Sequence, residues 1–443
     1  MTREVIVVQT GQCGNQIGTK FWDVALQAHA KHRTSSSTCF DRGMNVLFRN
    51  VDYKSGYPLQ VGSHVSCLKA RVVLVDMESG VINSILRSPL GELYSQPQII
   101  TDVSGSGNNW ATGYMEYGNV HGDDITNAIR IQLECCDCVD SVVFLQSLSG
   151  GTGSGLGSYI VGRVADEFSG VNRIVVPVFP SGTDDVVTAP YNSVLALNTL
   201  ADDANVVLAV DNESLFKHYN LLNSQALQET NQRPNPFDAA NTVVAEMIQE
   251  LTTSLKFGGD SVFFPSHTDS LTCGKEKFLA PVLYMGGDKT FQRQAISFEK
   301  AITSKYDEKL SLCRAWRDCP ADHSGLIYWG NISLAKVLQT AIKTSTRDIT
   351  LFGHTKNERN GLSNPEGFLK FSRTASMCTV FHDIRRKFLK FYKRKAHLHH
   401  YLPHIEESQL EEASENLRVL SDTYRYRSGA PCTSIPQTRR KPR

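Results

Sequence analysis

The 443-residue sequence has almost no charge of one sign to spare: 46 Lys and Arg stand against 45 Asp and Glu, a formal charge of +1. No global field therefore points to nucleic acid or to a membrane, and any charged ligand has to be met locally. No apolar run is long enough to span a bilayer, and the first residues, MTREVIVVQT, lack a secretory h-region, which predicts a cytosolic chain. The eleven cysteines are odd in number and scattered, a pattern that excludes a disulfide framework and predicts reduced thiols. A Walker loop is missing as well, since G-x-x-x-x-G-K-[ST] occurs nowhere. There is no internal repeat.

What is present is a chain of ordinary globular composition, 41% apolar and 21% charged, long enough for two or three domains. The first half alternates apolar runs with amphipathic stretches: EVIVVQ, NQIGTKFWDVALQAHA, ARVVLVD, NVHGDDITNAIRIQLECC, SVVFLQ, SYIVGRVADEF and NRIVVPVF. Continuous β-branched runs interleaved with helical periodicity predict an α/β fold, a doubly wound, mostly parallel sheet covered on both faces. Residues 34–57 are polar and poor in pattern, which predicts a long surface loop. A long helix is expected over 238–256, with Val243, Val244, Met247, Ile248 and Leu251 on one face, and two more over 383–401 and 406–424. The stretch 258–290 is rich in Gly and Ser and carries no clear pattern. The resulting division is a nucleotide-binding unit over 1–236, a central helix over 237–257, and a shortened α+β unit over 258–380. A helical pair over 381–425 and a disordered basic tail over 426–443 complete it.

Four Gly-bearing turns follow four strand candidates, and in a parallel sheet such turns open at the same, C-terminal edge. They are Gly11-Gln12-Cys13-Gly14-Asn15-Gln16, Asp76-Met77-Glu78-Ser79-Gly80, Ser104-Gly105-Ser106-Gly107-Asn108-Asn109 and Ser149-Gly150-Gly151-Thr152-Gly153-Ser154-Gly155. The last has four Gly in seven residues with hydroxyls at Thr152 and Ser154, so it can offer successive N–H and O–H donors to phosphate oxygens. No Lys or Arg falls within 147–157, which leaves backbone dipoles, a helix N-terminus and a metal to meet the charge. The acids of the second turn suit a Mg²⁺ held through water, or a simple helix cap.

The seven-residue run 149–155 resembles the tubulin signature, and GQCGNQIG, SGSGNNWATG, PYNS and VDNESLF fall in tubulin order. The resemblance implies GTP or GDP with Mg²⁺ as cofactors. It implies phosphate or metal contacts from Gly11, Gln12, Cys13, Gln16, Gly107, Asn108, Ser147, Gly150, Gly151, Thr152, Gly153 and Ser154, with Glu78 at the metal. Asn212 and Asn241 would read the guanine, and Phe237 stands where an aromatic ring stacks on the base. Ala189, in place of the Glu that α- and β-tubulins carry before Pro-Tyr-Asn, and FLKFYKRKAHLHHYL resemble the epsilon type. That type implies a cytoskeletal protein of the centriole, centrosome or basal body, with other tubulins or centriolar proteins as partners and neither nucleic acid nor membrane. The rival reading is a dinucleotide-binding metabolic enzyme, and a third is a degenerate tubulin that binds nucleotide without assembling.

The pattern breaks after SLKFGG, where the tubulin L-N-x-D-L-x-E segment is absent. Asp260, Asp269 and Glu276 lie in that region without the required neighbours and are expected to be solvated, so no catalytic residue is assigned. An acidic C-terminal tail is missing too. The C-x-x-C pair Cys135 and Cys138 has metal or redox spacing, but with no second pair nearby it predicts buried or half-buried thiols. His397, His399 and His400 predict a packed, partly solvated helix end. The basic face of 383–401 and the acids of 406–424 predict an antiparallel pair.

Overall fold

The computed structural model describes residues 2–32, 39–181, 186–220, 235–257, 271–285, 301, 309–315, 321–329, 337, 339, 348–355 and 366–427. In chain order the first half comprises β1 (Glu4–Thr10), α1 (Gly11–His32), α2 (Arg42–Asn45), β2 (Phe48–Val51), β3 (Cys67–Ala70), β4 (Val72–Asp76), α3 (Ser79–Leu86) and β5 (Ile99–Thr101). It continues through α4 (Gly118–Glu134), β6 (Val139–Ser147), α5 (Gly157–Glu167), β7 (Asn172–Phe179), α6 (Ala189–Asp203), β8 (Val206–Leu208) and β9 (Val210–Asp211). The central helix Pro236–Phe257 follows, then β10 (Phe278–Met285), β11 (Ala321–Trp329), β12 (Asp348–Thr355), β13 (Gly367–Thr374) and the helices Met377–Tyr392 and Glu407–Arg427.

Eleven of these strands form one sheet in the order β12-β11-β13-β10-β8-β7-β6-β1-β4-β5, with β9 beside β7. Every pairing from β5 to β10 is parallel, and β13 then runs antiparallel to both β10 and β11. β1 shows why the sheet is covered twice. Val5 and Val7 enter one buried cluster with Ile17, Phe21 and Trp22 of α1, whereas Ile6 and Val8 enter another with Ile125 of α4 and Ile160 of α5. A strand whose alternate side chains meet two apolar layers has no polar face to show, hence the unbroken EVIVV. The doubly wound α/β fold is as the sequence implied.

Three local expectations are corrected. The stretch 34–57 is no simple loop: α2 and β2 lie within it, and Phe40, Met44, Val46, Leu47 and Phe48 are buried. Within 258–290 the described residues hold strand β10, paired to β13 through Pro281 opposite Phe371. Glu276 is buried, not solvated, with its carboxylate 3.4 Å from the Arg373 guanidinium, while Asp260 and Asp269 lie outside the described residues. The same holds for residues 258–270, where the missing tubulin segment would fall, and for 428–443 of the basic tail.

The C-terminal helices are antiparallel, as expected, but the first begins at Met377 and ends at Tyr392 instead of spanning 383–401. Cys378 faces Ser421, Arg385 faces Ser414, and the Tyr392 hydroxyl donates to Glu407 and Glu411 at 3.1 and 2.8 Å. Tyr424 fixes the pair to the sheet edge. Its hydroxyl accepts from the Phe278 amide at 2.8 Å and donates to the Phe278 carbonyl at 2.9 Å. His397, His399 and His400 sit in a turn after the first helix, where Leu398–His400 makes a short 3₁₀ segment.

Asp140, at the start of β6 on the sheet edge away from the glycine turns, is 4% exposed. Burial pushes its carboxyl up to about 7, against the pull of Ser141 and Arg3. The folded chain thus keeps a proton that the unfolded chain releases from its ordinary value of 3.8 upward. This contribution to stability is full below that value and is lost as pH rises through about 7. Asp140→Asn should abolish the loss: in urea denaturation at several pH values, the variant's advantage over the parent grows as pH rises across that window.

Candidate phosphate cradle and base site

Three of the four glycine turns meet at the C-terminal edge of β1, β5 and β6. Gly11 adopts φ +73°, and a Cβ there would stand 3.0 Å from the Gly153 amide nitrogen, so the turn after β1 lies directly on the loop after β6. Gly150 faces the Ser147 hydroxyl and the Asn108 side chain, at 3.6 and 3.8 Å from its would-be Cβ. The turn after β5 joins through a hydrogen bond of 2.8 Å between the Ser106 and Thr152 hydroxyls. Gly107 and Asn108 are exposed and both left-handed, at φ 54° and 55°. Thr112–Tyr117 and Thr152–Leu156, the first turns of the helices leaving these loops, are wound as π-helix and packed together, with Gly155 directly on the Trp110 carbonyl. Wide turns of this kind recur at functional sites because they reposition backbone groups without ending the helix.

Asn192, in the PYNS motif of α6, ties the loops together. Its side-chain amide donates to the carbonyls of Asn108 at 2.8 Å and Ser149 at 2.7 Å. Its carbonyl oxygen accepts from the Trp110 amide at 2.9 Å and the Tyr401 hydroxyl at 2.6 Å. Thr188 adds a second donor to Asn108, and the Asn109 side chain donates to the His400 carbonyl. The C-terminal turn is therefore hydrogen-bonded to the glycine edge. The PYNS motif stands out in the sequence, but the bracing role of Asn192 does not, because four partners this far apart in the chain leave no trace in spacing.

The acids of the second turn fall into two environments. Asp76 is 3% exposed and burial pushes its carboxyl up to about 6, with the Glu78 charge adding to the rise. Its Oδ1 accepts from the Glu78 amide at 3.3 Å, while Oδ2 has no hydrogen-bond partner among the described residues. Glu78 is exposed and lies against Gly105, whose would-be Cβ stands 2.6 Å from the carboxylate. One buried acid and one solvent-facing acid suit a hydrated divalent cation that is held partly through water. The sequence offers both acids of this turn to a metal, and the resemblance singles out Glu78; the burial of Asp76 is visible only in the structure.

Gln12 is exposed and Cys13 and Gln16 are half-buried on the first turns of α1. Gly151, Thr152, Gly153 and Ser154 are buried, with the Ser154 hydroxyl donating back to the Gly150 carbonyl, and Ser147 is half-buried beneath them. At the other end, Phe237 is 58% exposed and makes an edge contact with Phe216 at 6.0 Å between ring centroids. Asn212 is half-buried one helical turn before Phe216, on the same face, and Asn241 is 8% exposed one turn after Phe237. Phe237 thus presents an open ring, with Asn212 and Asn241 each one helical turn from a member of the ring pair, and no hydrogen bond links either amide to the cradle loops among the described residues.

Residues 4–220 match the Tubulin/FtsZ family, GTPase domain. The chain belongs to the tubulin family. It is similar to the Tubulin epsilon chain of Homo sapiens, 34% identical over 480 aligned positions that cover 96% of each chain, and to that of Mus musculus, 33% identical over 99% of each. Against the Tubulin beta-3 chain of Echinococcus multilocularis the identity is 27%, covering 95% of each chain. Both epsilon alignments contain more positions than this chain has residues, so those relatives carry segments that it lacks. Family membership sets aside the dinucleotide-enzyme reading. No helix among the described residues is long and apolar enough to cross a membrane.

Asn192→Ala removes four hydrogen bonds at once, to the Asn108 and Ser149 carbonyls, the Trp110 amide and the Tyr401 hydroxyl, and only the Asn108 carbonyl has a second donor of its own in Thr188 among these bonds. It should destabilise the chain by about 1–3 kcal/mol or more, the cost of buried polar groups left unpaired. Urea titration measures the loss, and an unchanged midpoint would show that Asn192 does not brace the loops.

Proposed function

We propose that this tubulin-family chain binds GTP or GDP, with the phosphates on the loops around Gly11, Asn108 and Gly153 and the guanine between Phe237, Asn212 and Asn241. The observation that carries the reading is the convergence of these loops into one hydrogen-bonded edge with left-handed residues and no cationic side chain in the loop 147–157. Such an edge meets an anion with backbone N–H groups and helix N-termini. Gln12, Cys13 and Gln16 complete the phosphate side from α1, and Thr152 brings a hydroxyl, while Ser154 shapes the loop by donating its own to the Gly150 carbonyl. Glu78 and Asp76 would hold Mg²⁺, which would supply charge compensation for the phosphates. Asn side-chain amides present both a donor and an acceptor, as the edge of guanine requires.

Thr152→Ala with Gly153→Val should abolish nucleotide retention in a filter assay. The double change removes a hydroxyl and places a branched side chain 2.8 Å from the Ser147 hydroxyl. Asn241→Ala should weaken GTP by about 1–3 kcal/mol and relax discrimination against ATP. Unchanged GTP binding by the first variant, or an unaltered GTP-to-ATP preference in the second, would move the site elsewhere.

We also propose that the chain works as a specialised cytoskeletal component at centrioles, centrosomes or basal bodies, meeting other tubulins or centriolar proteins. Its similarity to epsilon chains supports this, and staining spread evenly along all microtubules would count against it. The absence of L-N-x-D-L-x-E from the sequence removes the acid that a tubulin offers to its neighbour's nucleotide. General-base help of that kind is typically worth about 10²–10⁴-fold. The isolated protein should therefore release phosphate from GTP negligibly, and addition of αβ-tubulin under conditions that block lattice assembly should raise the rate. Robust GTPase activity from the chain alone would contradict this.

A further inference from the structure

The C-x-x-C pair at the end of α4 has no part in the nucleotide reading, and the structure reverses the burial expected for it. Cys135 and Cys138 are both exposed, and only Cys136 between them is half-buried. Burial pushes the Cys136 thiol up to about 11 and takes it out of thiolate chemistry near neutrality. Cys135 is differently placed. It caps the C-terminus of α4, and Arg49 of β2 donates a guanidinium N–H to its sulfur at 3.1 Å. Arg71 holds the Cys135 carbonyl at 2.8 Å, while Glu4 accepts from the Cys138 amide at 2.9 Å and its own amide donates to the Cys138 carbonyl at 3.0 Å. The backbone on both sides of the bend is thus anchored, with the two outer thiols facing solvent.

We propose that Cys135 and Cys138 form a reversible redox pair, with Cys135 the attacking thiol and Cys138 the resolving one, and hydrogen peroxide as oxidant. Exposed thiols beside a cation and next to a second cysteine are the ones that oxidise first. In the first step the Cys135 thiolate attacks the peroxide oxygen. An S–O bond forms, the O–O bond breaks, and the departing hydroxide takes up a proton as water. In the second, the Cys138 thiolate attacks the sulfenic sulfur, an S–S bond forms, and the S–O bond breaks to release a second water after protonation. Two thiols lose two electrons and one peroxide becomes two waters. The product ties the end of α4 to the start of β6, and a reducing cytosol returns it to the dithiol, the usual fate of disulfides there.

The test is peptide-mapping mass spectrometry of the full chain after substoichiometric hydrogen peroxide, with free thiols blocked by iodoacetamide. The expected result is a Cys135–Cys138 disulfide appearing before oxidation of Cys273, the other exposed thiol among the described residues. Cys138→Ser should leave Cys135 as a sulfenic acid trapped by dimedone. Arg49→Met should slow Cys135 alkylation severalfold and leave Cys273 unchanged, with circular dichroism confirming the fold. Oxidation of Cys135 no faster than Cys273, or the same Cys135 product with and without Cys138, would overturn the proposal.

Discussion

A phosphate-binding edge of the kind proposed, with no Lys or Arg in its loop 147–157, depends on the fixed position of backbone groups, because an N–H dipole that drifts offers little to an anion. In this chain the fixing is done by the Asn192 side chain, which holds the loops after β5 and β6 by their carbonyls and is itself held by the Trp110 amide and the Tyr401 hydroxyl. The glycines then follow from proximity: Gly11 and Gly155 each stand where a side chain would strike a neighbouring backbone. The same amide draws the C-terminal turn into the site, so the far end of the chain stabilises the loops at its beginning.

The parts of the fold legible in the sequence are those set by local periodicity. β1, β4, β6 and β7 are read from unbroken apolar runs, and the central helix from its stripe of Val243, Val244, Met247, Ile248 and Leu251. Elements that owe their form to tertiary packing are not legible in this way. β2 and α2 are short, and their apolar residues, Met44 to Phe48, stand among polar neighbours. β10 contains Pro281, which argues against a strand, yet its carbonyl still accepts from Leu312. The first C-terminal helix starts earlier than expected because Met377, Cys378 and Val380 pack against the sheet layer. Glu276 and the C-x-x-C pair depart from expectation in opposite directions, since burial of an isolated side chain is decided by distant segments.

The candidate site shows the same division. Glycine, hydroxyl and acidic residues were legible by type, and the family resemblance gave them an order. That Asp76 is buried while Glu78 faces solvent could not be read from two acids separated only by Met77. The proposed base end rests on Phe237 and Phe216, two rings from separate helical segments that meet edge to face. Physical and family arguments therefore converge on the same edge from different residues.

The most direct measurement is the identity of the nucleotide that the purified chain carries. Protein isolated without added ligand is denatured, and the released small molecules are identified by mass spectrometry. The account predicts a guanosine diphosphate or triphosphate bound in near-stoichiometric amount. Release of a nicotinamide or flavin dinucleotide, of adenine nucleotide alone, or of no nucleotide even after incubation with GTP would contradict it.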